Sequence, residues 1–161
     1  MSANPANLTA YMALGNIYQV TKQYQQAIEV YSRALEQNPN SALICNNLAF
    51  LLAEFSDAKR DLEKALDLAT KAQKLYPGDP NVTDTLGWVH YKMGDYERSM
   101  TFIEQSLAKS QESAIINYHM GMVLYRLGRP DEAKEVLEKA LGSKESFIGK
   151  DEAMETLKKL S

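Results

Sequence analysis

Residues 84–107, DTLGWVHYKMGDYERSMTFIEQSL, read as two helices joined by a tight turn. Gly94-Asp95 interrupts the chain between a segment carrying Leu86-Gly87 and a segment carrying Tyr96, Ser99 and Ser106. Each of these marks recurs elsewhere. Leu14-Gly15, Leu48-Ala49, Leu86-Gly87 and Met120-Gly121 follow one another at spacings of 34, 38 and 34. Ala27, Ala65, Ser99 and Ala133 recur at 38, 34 and 34, and Ala34, Ala72, Ser106 and Ala140 keep the same three intervals. A large residue stands three places before the second series at Tyr24, Leu62 and Tyr96, with Pro130 as the exception. Independent positions that hold one period identify an array of repeated supersecondary units.

Within each unit the periodicity is helical. Leu8, Tyr11, Leu14, Gly15 and Tyr18 follow the i, i+3, i+4 rule, as do Tyr24, Ala27, Ile28, Tyr31, Ala34 and Leu35. Gly94-Asp95 and Gly128-Arg129-Pro130 suit tight turns, with Pro130 at a first helical position, where its missing N–H costs nothing. Asn38-Pro39-Asn40 and Pro77-Gly78-Asp79-Pro80 stop one unit and start the next. The small residues let paired helices approach closely.

Leu14-Gly15-x-x-Tyr18, Tyr24, Ala27, Tyr31, Ala34 and Pro39 resemble the tetratricopeptide repeat (TPR) consensus, a 34-residue helix–turn–helix. The resemblance implies an all-α, right-handed α-solenoid with repeats at 8–41, 42–79, 80–113 and 114–147. It departs from the consensus at the fourth repeat position, which is Tyr11 and then Cys45, Thr83 and Asn117. The repeat-closing proline is replaced by Gln111 and Glu145. Four extra residues in the second unit lie within AEFSDAKRDLEK, residues 53–64. Four residues are close to one helical turn, so the insertion predicts a longer helix over roughly 57–75 whose buried face stays in phase. Residues 148–161 contain a stripe of Ala153, Met154, Leu157 and Leu160, which predicts a capping helix over the last repeat. Residues 1–7, MSANPAN, are polar and are expected to be flexible. No such cap precedes the first repeat. That pattern is expected of a chain cut from a longer array, or of a weak homo-oligomer covering Leu8, Tyr11 and Tyr18.

Composition narrows the function. The 161 residues carry 18 Lys and Arg against 21 Asp and Glu, a net charge of −3 that argues against phosphate-neutralising nucleic-acid binding. A single cysteine, Cys45, excludes an internal disulfide framework and leaves the compartment open between cytoplasm and periplasm. No basic segment followed by an apolar block opens the chain, and no apolar run approaches the ~20 residues of a membrane span, so no membrane insertion is expected.

Catalysis has no constellation to rest on. Cys45 falls in the packing register, where a thiol is usually inert. His90 is expected to be packed between helices, and His119 to face the inner surface as a contact or pH-sensing group. Asp61, Glu63 and Asp67 share a solvated face, the glycines do not form a phosphate loop, and no ligand spacing suits a metal. No enzyme activity, cofactor or metal is expected.

In TPR proteins the concave surface is lined by the first helix of each repeat, and the resemblance carries that lining to named positions. Asn16, Asn46, Asn47 and Phe50 come from the first two repeats. Asp84, Thr85, Trp88, Tyr91, Tyr118, His119 and Met122 come from the last two. Asparagine amides pair with a peptide N–H and C=O irrespective of sequence, and aromatic side chains supply selective pockets. The expected function is a non-enzymatic interaction module that binds a peptide or helix of a protein partner in a groove and scaffolds a complex. A structural spacer or self-association unit is the alternative. The carboxylate clamp of TPR chaperone adaptors is not expected. Its asparagines are matched by Asn16 and Asn47, but its cations are replaced by Met12, Asn81 and Thr85, which would leave a carboxylate half paired. NNLAFLLAEFSD and DTLGWVHYKMGDYERSM are also similar to segments of large bacterial TPR proteins, some of them linked to exopolysaccharide production, protein sorting or envelope assembly.

Overall fold

A computed structural model describes residues 5–56 and 58–160. Among these, every regular element is an α-helix, and the chain divides into two compact units, residues 1–77 and 78–161. Residues 1–4 of the segment expected to be flexible lie outside the described residues, and Pro5 to Asn7 open the first helix.

The first unit contains α1 (Pro5–Val20), α2 (Tyr24–Gln37), α3 (Ala42–Phe55) and α4 (Lys59–Leu75). Helices α1 and α2 form one hairpin and α3 and α4 a second, with α2 packed on α3. Ser41 caps α3 by accepting the Ile44 N–H at 3.4 Å. The core is Ala27, Tyr31 and Ala34 against Ile44, Cys45, Leu48, Ala49 and Leu52, with Ala65, Leu68, Ala69 and Ala72 from α4. The α4 helix has 17 residues where α2 has 14, so most of the insertion is absorbed as extra helix. It begins at Lys59 rather than near 57. Ser56 Oγ donates to Asp61 Oδ2 at 2.5 Å and ties the connection to the first turn of α4. Across the hairpin ends, Tyr24 and Phe55 stack with ring centroids 3.6 Å apart.

The second unit contains α5 (Pro80–Lys92), α6 (Tyr96–Leu107), α7 (Ala114–Arg126), α8 (Pro130–Gly142) and α9 (Lys150–Lys159). Helices α5 and α6 pair, as do α7 and α8; α6 packs on α7, and α9 packs on α8 and α7. Asp79 caps α5 by accepting the Asn81 and Val82 N–H groups at 2.9 and 3.1 Å, with Pro80 in the first turn. Gly94 and Gly128 hold the hairpin turns at φ 82° and 73°, a region that disfavours residues with a Cβ. The small-residue series explains helix approach. Ala27, Ala65, Ser99 and Ala133 are fully buried, as are Ala34, Ala72, Ser106 and Ala140. A Cβ on Gly121 would lie 2.5 Å from Leu137 Cγ, so α7 and α8 meet closer than an alanine allows.

Candidate interaction site

The polar centre of the first unit is one hydroxyl. Tyr31 projects from α2 into the junction of α1 and α3, where its ring occupies the space left by the missing side chain of Gly15. Its O–H donates to Asn16 Oδ1 at 2.9 Å and accepts from Gln19 Nε2 at 3.0 Å and Asn47 Nδ2 at 3.3 Å. One donor and two acceptor sites are the full capacity of a phenol, so the hydroxyl is saturated and three amides are aimed by it. Burial, the larger influence, raises the Tyr31 pKa, and the amide hydrogen bonds oppose it in part. Asn16 is exposed at the surface, while Asn46, Asn47 and Phe50 are half-buried on α3. Asn16 keeps both amide N–H donors, and Asn47 keeps one N–H and its carbonyl, after serving Tyr31.

The second unit is built differently. Asp84, Thr85, Trp88 and Tyr91 on α5, and Tyr118, His119 and Met122 on α7, are all buried. They were expected to offer side chains to a partner, and the structure corrects that expectation: these side chains are packed instead. Trp88 has an exposure of 0%. It stacks on Tyr91 at 4.5 Å between centroids and on His119 at 3.9 Å, with Lys92 Nζ 5.1 Å from its ring. His119 Nδ1 pairs with the Asp84 carboxylate, and Tyr118 O–H donates to Glu152 Oε2 of α9 at 2.7 Å. Large rings on neighbouring helices then filled the space between them.

His90 is buried and stacked on Phe102, and burial lowers its pKa despite the nearby Asp95 carboxylate. Cys45 is fully buried and burial raises its pKa, so the thiolate needed of a nucleophile is disfavoured. No group of three or more His, Cys, Asp or Glu among the described residues is placed to hold a metal ion. No described helix is long and apolar enough to cross a membrane. Sequence reasoning took Tyr31 as packing alone, because nothing in its spacing shows that its hydroxyl would collect amides from two helices. Leu14, Ile17 and Val20 are exposed on α1, and residues 1–21 contain no charged side chain.

Helical hairpins stacked with glycine or alanine at one fixed crossing are what comparison with known families can test. Residues 9–41 match the family model described as Tetratricopeptide repeat, and residues 58–140 match that of Anaphase-promoting complex, cyclosome, subunit 3. The chain belongs to the tetratricopeptide repeat family. Among curated TPR relatives, it is 29% identical over 87 residues to TPR repeat-containing protein PA4667 of Pseudomonas aeruginosa, covering 54% of this chain and 14% of that protein. It is 24% identical over 126 residues to Type IV pilus assembly protein PilF of the same organism, covering 78% of this chain and 49% of that protein. The chain therefore spans half or less of the length of these two relatives. Among solved structures, the APC/C hetero-tetramer Cut9-Hcn1 matches with a TM-score of 0.79 at 18% identity, covering 98% of this chain and 30% of that one. YrrB, described as a TPR protein with an unusual peptide-binding site, matches with a TM-score of 0.61 at 18% identity, covering 99% of this chain and 76% of that one. The fold is that of an all-α TPR solenoid, and TPR proteins are in general non-catalytic interaction modules.

Proposed function

We propose that this chain is a non-enzymatic module that binds a peptide or helix of a protein partner on the face carried by α1 and α3, scaffolding a complex. Its organisation in this reading is four repeats at 8–41, 42–79, 80–113 and 114–147, followed by a capping helix within 148–161. The observation that carries the reading is the saturation of the Tyr31 hydroxyl by Asn16, Gln19 and Asn47. Amides held in fixed orientations lose less entropy on capturing a peptide backbone than free ones do. Asn16 and Asn47 offer donors and an acceptor to backbone groups, and Asn46 and Phe50 flank them on α3. The buried residues of α5 and α7 act as the rigid packing of the second unit. Cut9-Hcn1 is described as a hetero-tetramer and YrrB as having an unusual peptide-binding site, which supports the same class of function. A segment seated on one such face buries little area, so affinity is expected to be on the order of micromolar.

The test is a random peptide library selected on the wild-type chain, with the selected peptides labelled and titrated by fluorescence anisotropy. Asn16→Ala with Asn47→Ala is expected to weaken binding at least tenfold, and Tyr31→Phe to weaken it by releasing the amides. Selected peptides that bind the double variant as tightly as wild type would remove this face from the function.

A further inference from the structure

The amides around Tyr31 have a spacing as well as a chemistry. The Tyr31 hydroxyl joins Asn16 Oδ1 of α1 at 2.9 Å and Asn47 Nδ2 of α3 at 3.3 Å, so the two amides stand within two hydrogen-bond lengths, ~6 Å, of one another. An extended peptide rises about 3.3 Å per residue and turns successive residues to opposite edges, so groups on one edge recur at about 6.6 Å. Two amides this close can engage neighbouring main-chain groups of one edge at once. The groups they have left suit that task. Asn16 keeps N–H donors for a peptide C=O, and Asn47 keeps its carbonyl for a peptide N–H. A helix has no use for either, because its own N–H and C=O groups are bonded within it except at the ends. Covered by a helix, the amides of Asn16 and Asn47 would lose water and gain no main-chain partner.

Charge narrows the occupant further. Helix α1 contains no Asp, Glu, Lys, Arg or His, and the one charged residue of α3 is Glu54. Neither helix offers a cation to a chain-terminal carboxylate or to an acidic side chain, and a carboxylate desolvated here would go unpaired. What α3 does offer is apolar. Leu43 and Phe50 stand one turn before and one turn after Asn47, at the i−4 and i+3 places of the same helix face. Leu43 is 53% exposed and Phe50 is half-buried. Resting on the reading of this face given above, we propose that its occupant is an extended, internal segment of the partner. Asn16 and Asn47 grip one main-chain edge of that segment, Leu43 and Phe50 take its apolar side chains, and no acidic residue lies in the contact. Recognition is then of conformation first and of sequence second, since main-chain bonds give affinity and the side chains between them give selectivity.

The probes are the peptides selected on the wild-type chain, synthesised with both ends blocked and titrated by fluorescence anisotropy. Blocking the C-terminus is expected to leave affinity within about twofold of the free acid. Methylating one peptide nitrogen at a time removes a single N–H. One such methylation is expected to weaken binding at least tenfold, and those on either side of it, which face the opposite edge, by less than about threefold. In Asn47→Ala that tenfold penalty is expected to shrink below about threefold, because the carbonyl that accepts this N–H is gone. A pair of α-aminoisobutyrate residues, which drives a peptide toward helix, is expected to weaken binding at least tenfold. A tighter complex with the helix-favouring peptide, no sensitive nitrogen, sensitivity at consecutive nitrogens, or dependence on a free C-terminus each overturns the extended-chain inference. The docking face itself stands in those cases as long as Asn16→Ala with Asn47→Ala still weakens binding. Peptides indifferent to that double variant overturn both.

Discussion

His119 Nδ1 lies 2.8 Å from Asp84 Oδ2 and 3.0 Å from Oδ1, joining α7 to α5 inside the second unit with both side chains shut away from water. Trp88 lies flat on the imidazole. Removing the carboxylate takes this hydrogen bond from the buried His119 ring, at a cost of about 1–3 kcal/mol. Asp84→Ala is therefore expected to destabilise the second unit by about that amount. Replacing both by leucine is expected to cost less than the sum of the two single losses. Urea unfolding followed by the emission of Trp88, the chain's one tryptophan, reads both. Strict additivity of the two substitutions would show that the contact carries no coupling.

Ser99 presents the opposite case. It holds the place taken by Ala27, Ala65 and Ala133 in the other repeats, is fully buried, and its Oγ has no hydrogen-bond partner. A buried hydroxyl left unsatisfied costs about 1–3 kcal/mol relative to an apolar group of the same size. Ser99→Ala is expected to raise stability, by roughly 2–4 °C in Tm for each kcal/mol recovered in a chain of this length. A lower Tm would mean that the hydroxyl is bonded after all.

His90 predicts a pH dependence with a definite sign. Desolvation, the dominant cause, holds its pKa below the ordinary 6.5, and Asp95 at 3.5 Å only partly offsets it. The folded chain thus binds this proton less tightly than the unfolded chain does. The stability linked to His90 is present above about pH 6.5 and is lost as the pH falls through 6.5 toward the lower folded value. Urea midpoints at about pH 7.5, 6.5 and 5.5 are expected to decline for wild type and to decline less for His90→Gln. Equal slopes would assign the acid loss to the carboxylates.

These cases show what the sequence carried and where it stopped. The repeat frame was legible because backbone geometry enforces it: only glycine or a small residue fits where helices cross, and breakers must stand where they turn. Every alanine or serine in the two small-residue series is fully buried. The burial of Trp88 and His119 was not legible, because it depends on whether the rings of neighbouring helices close on one another. That is a property of combined volumes and not of spacing. Tyr31 shows the same limit, since its packing position was visible but not the amides collected by its hydroxyl.

The last helix is fixed to the second unit through one glycine. Gly149 stands at φ 95° before α9, and a Cβ there would lie 2.3 Å from the Tyr118 ring. Tyr118 in turn bonds Glu152 in the first turn of α9 and packs near Phe147 at 5.5 Å. Gly149→Ala therefore incurs two penalties: about 1–2 kcal/mol for the left-handed backbone, and displacement of the ring that holds Glu152. Gly128→Ala isolates the first penalty, because its φ is 73° and nothing lies within 4 Å of the added methyl. Hydrogen exchange across α9 is expected to accelerate at least tenfold in Gly149→Ala, while the amides of α5 and α6 keep their protection. In Gly128→Ala the α9 amides are expected to stay near wild type, with only a modest loss of overall stability. If both variants loosen α9 equally, backbone strain explains the effect and the Tyr118 contact does not anchor the helix.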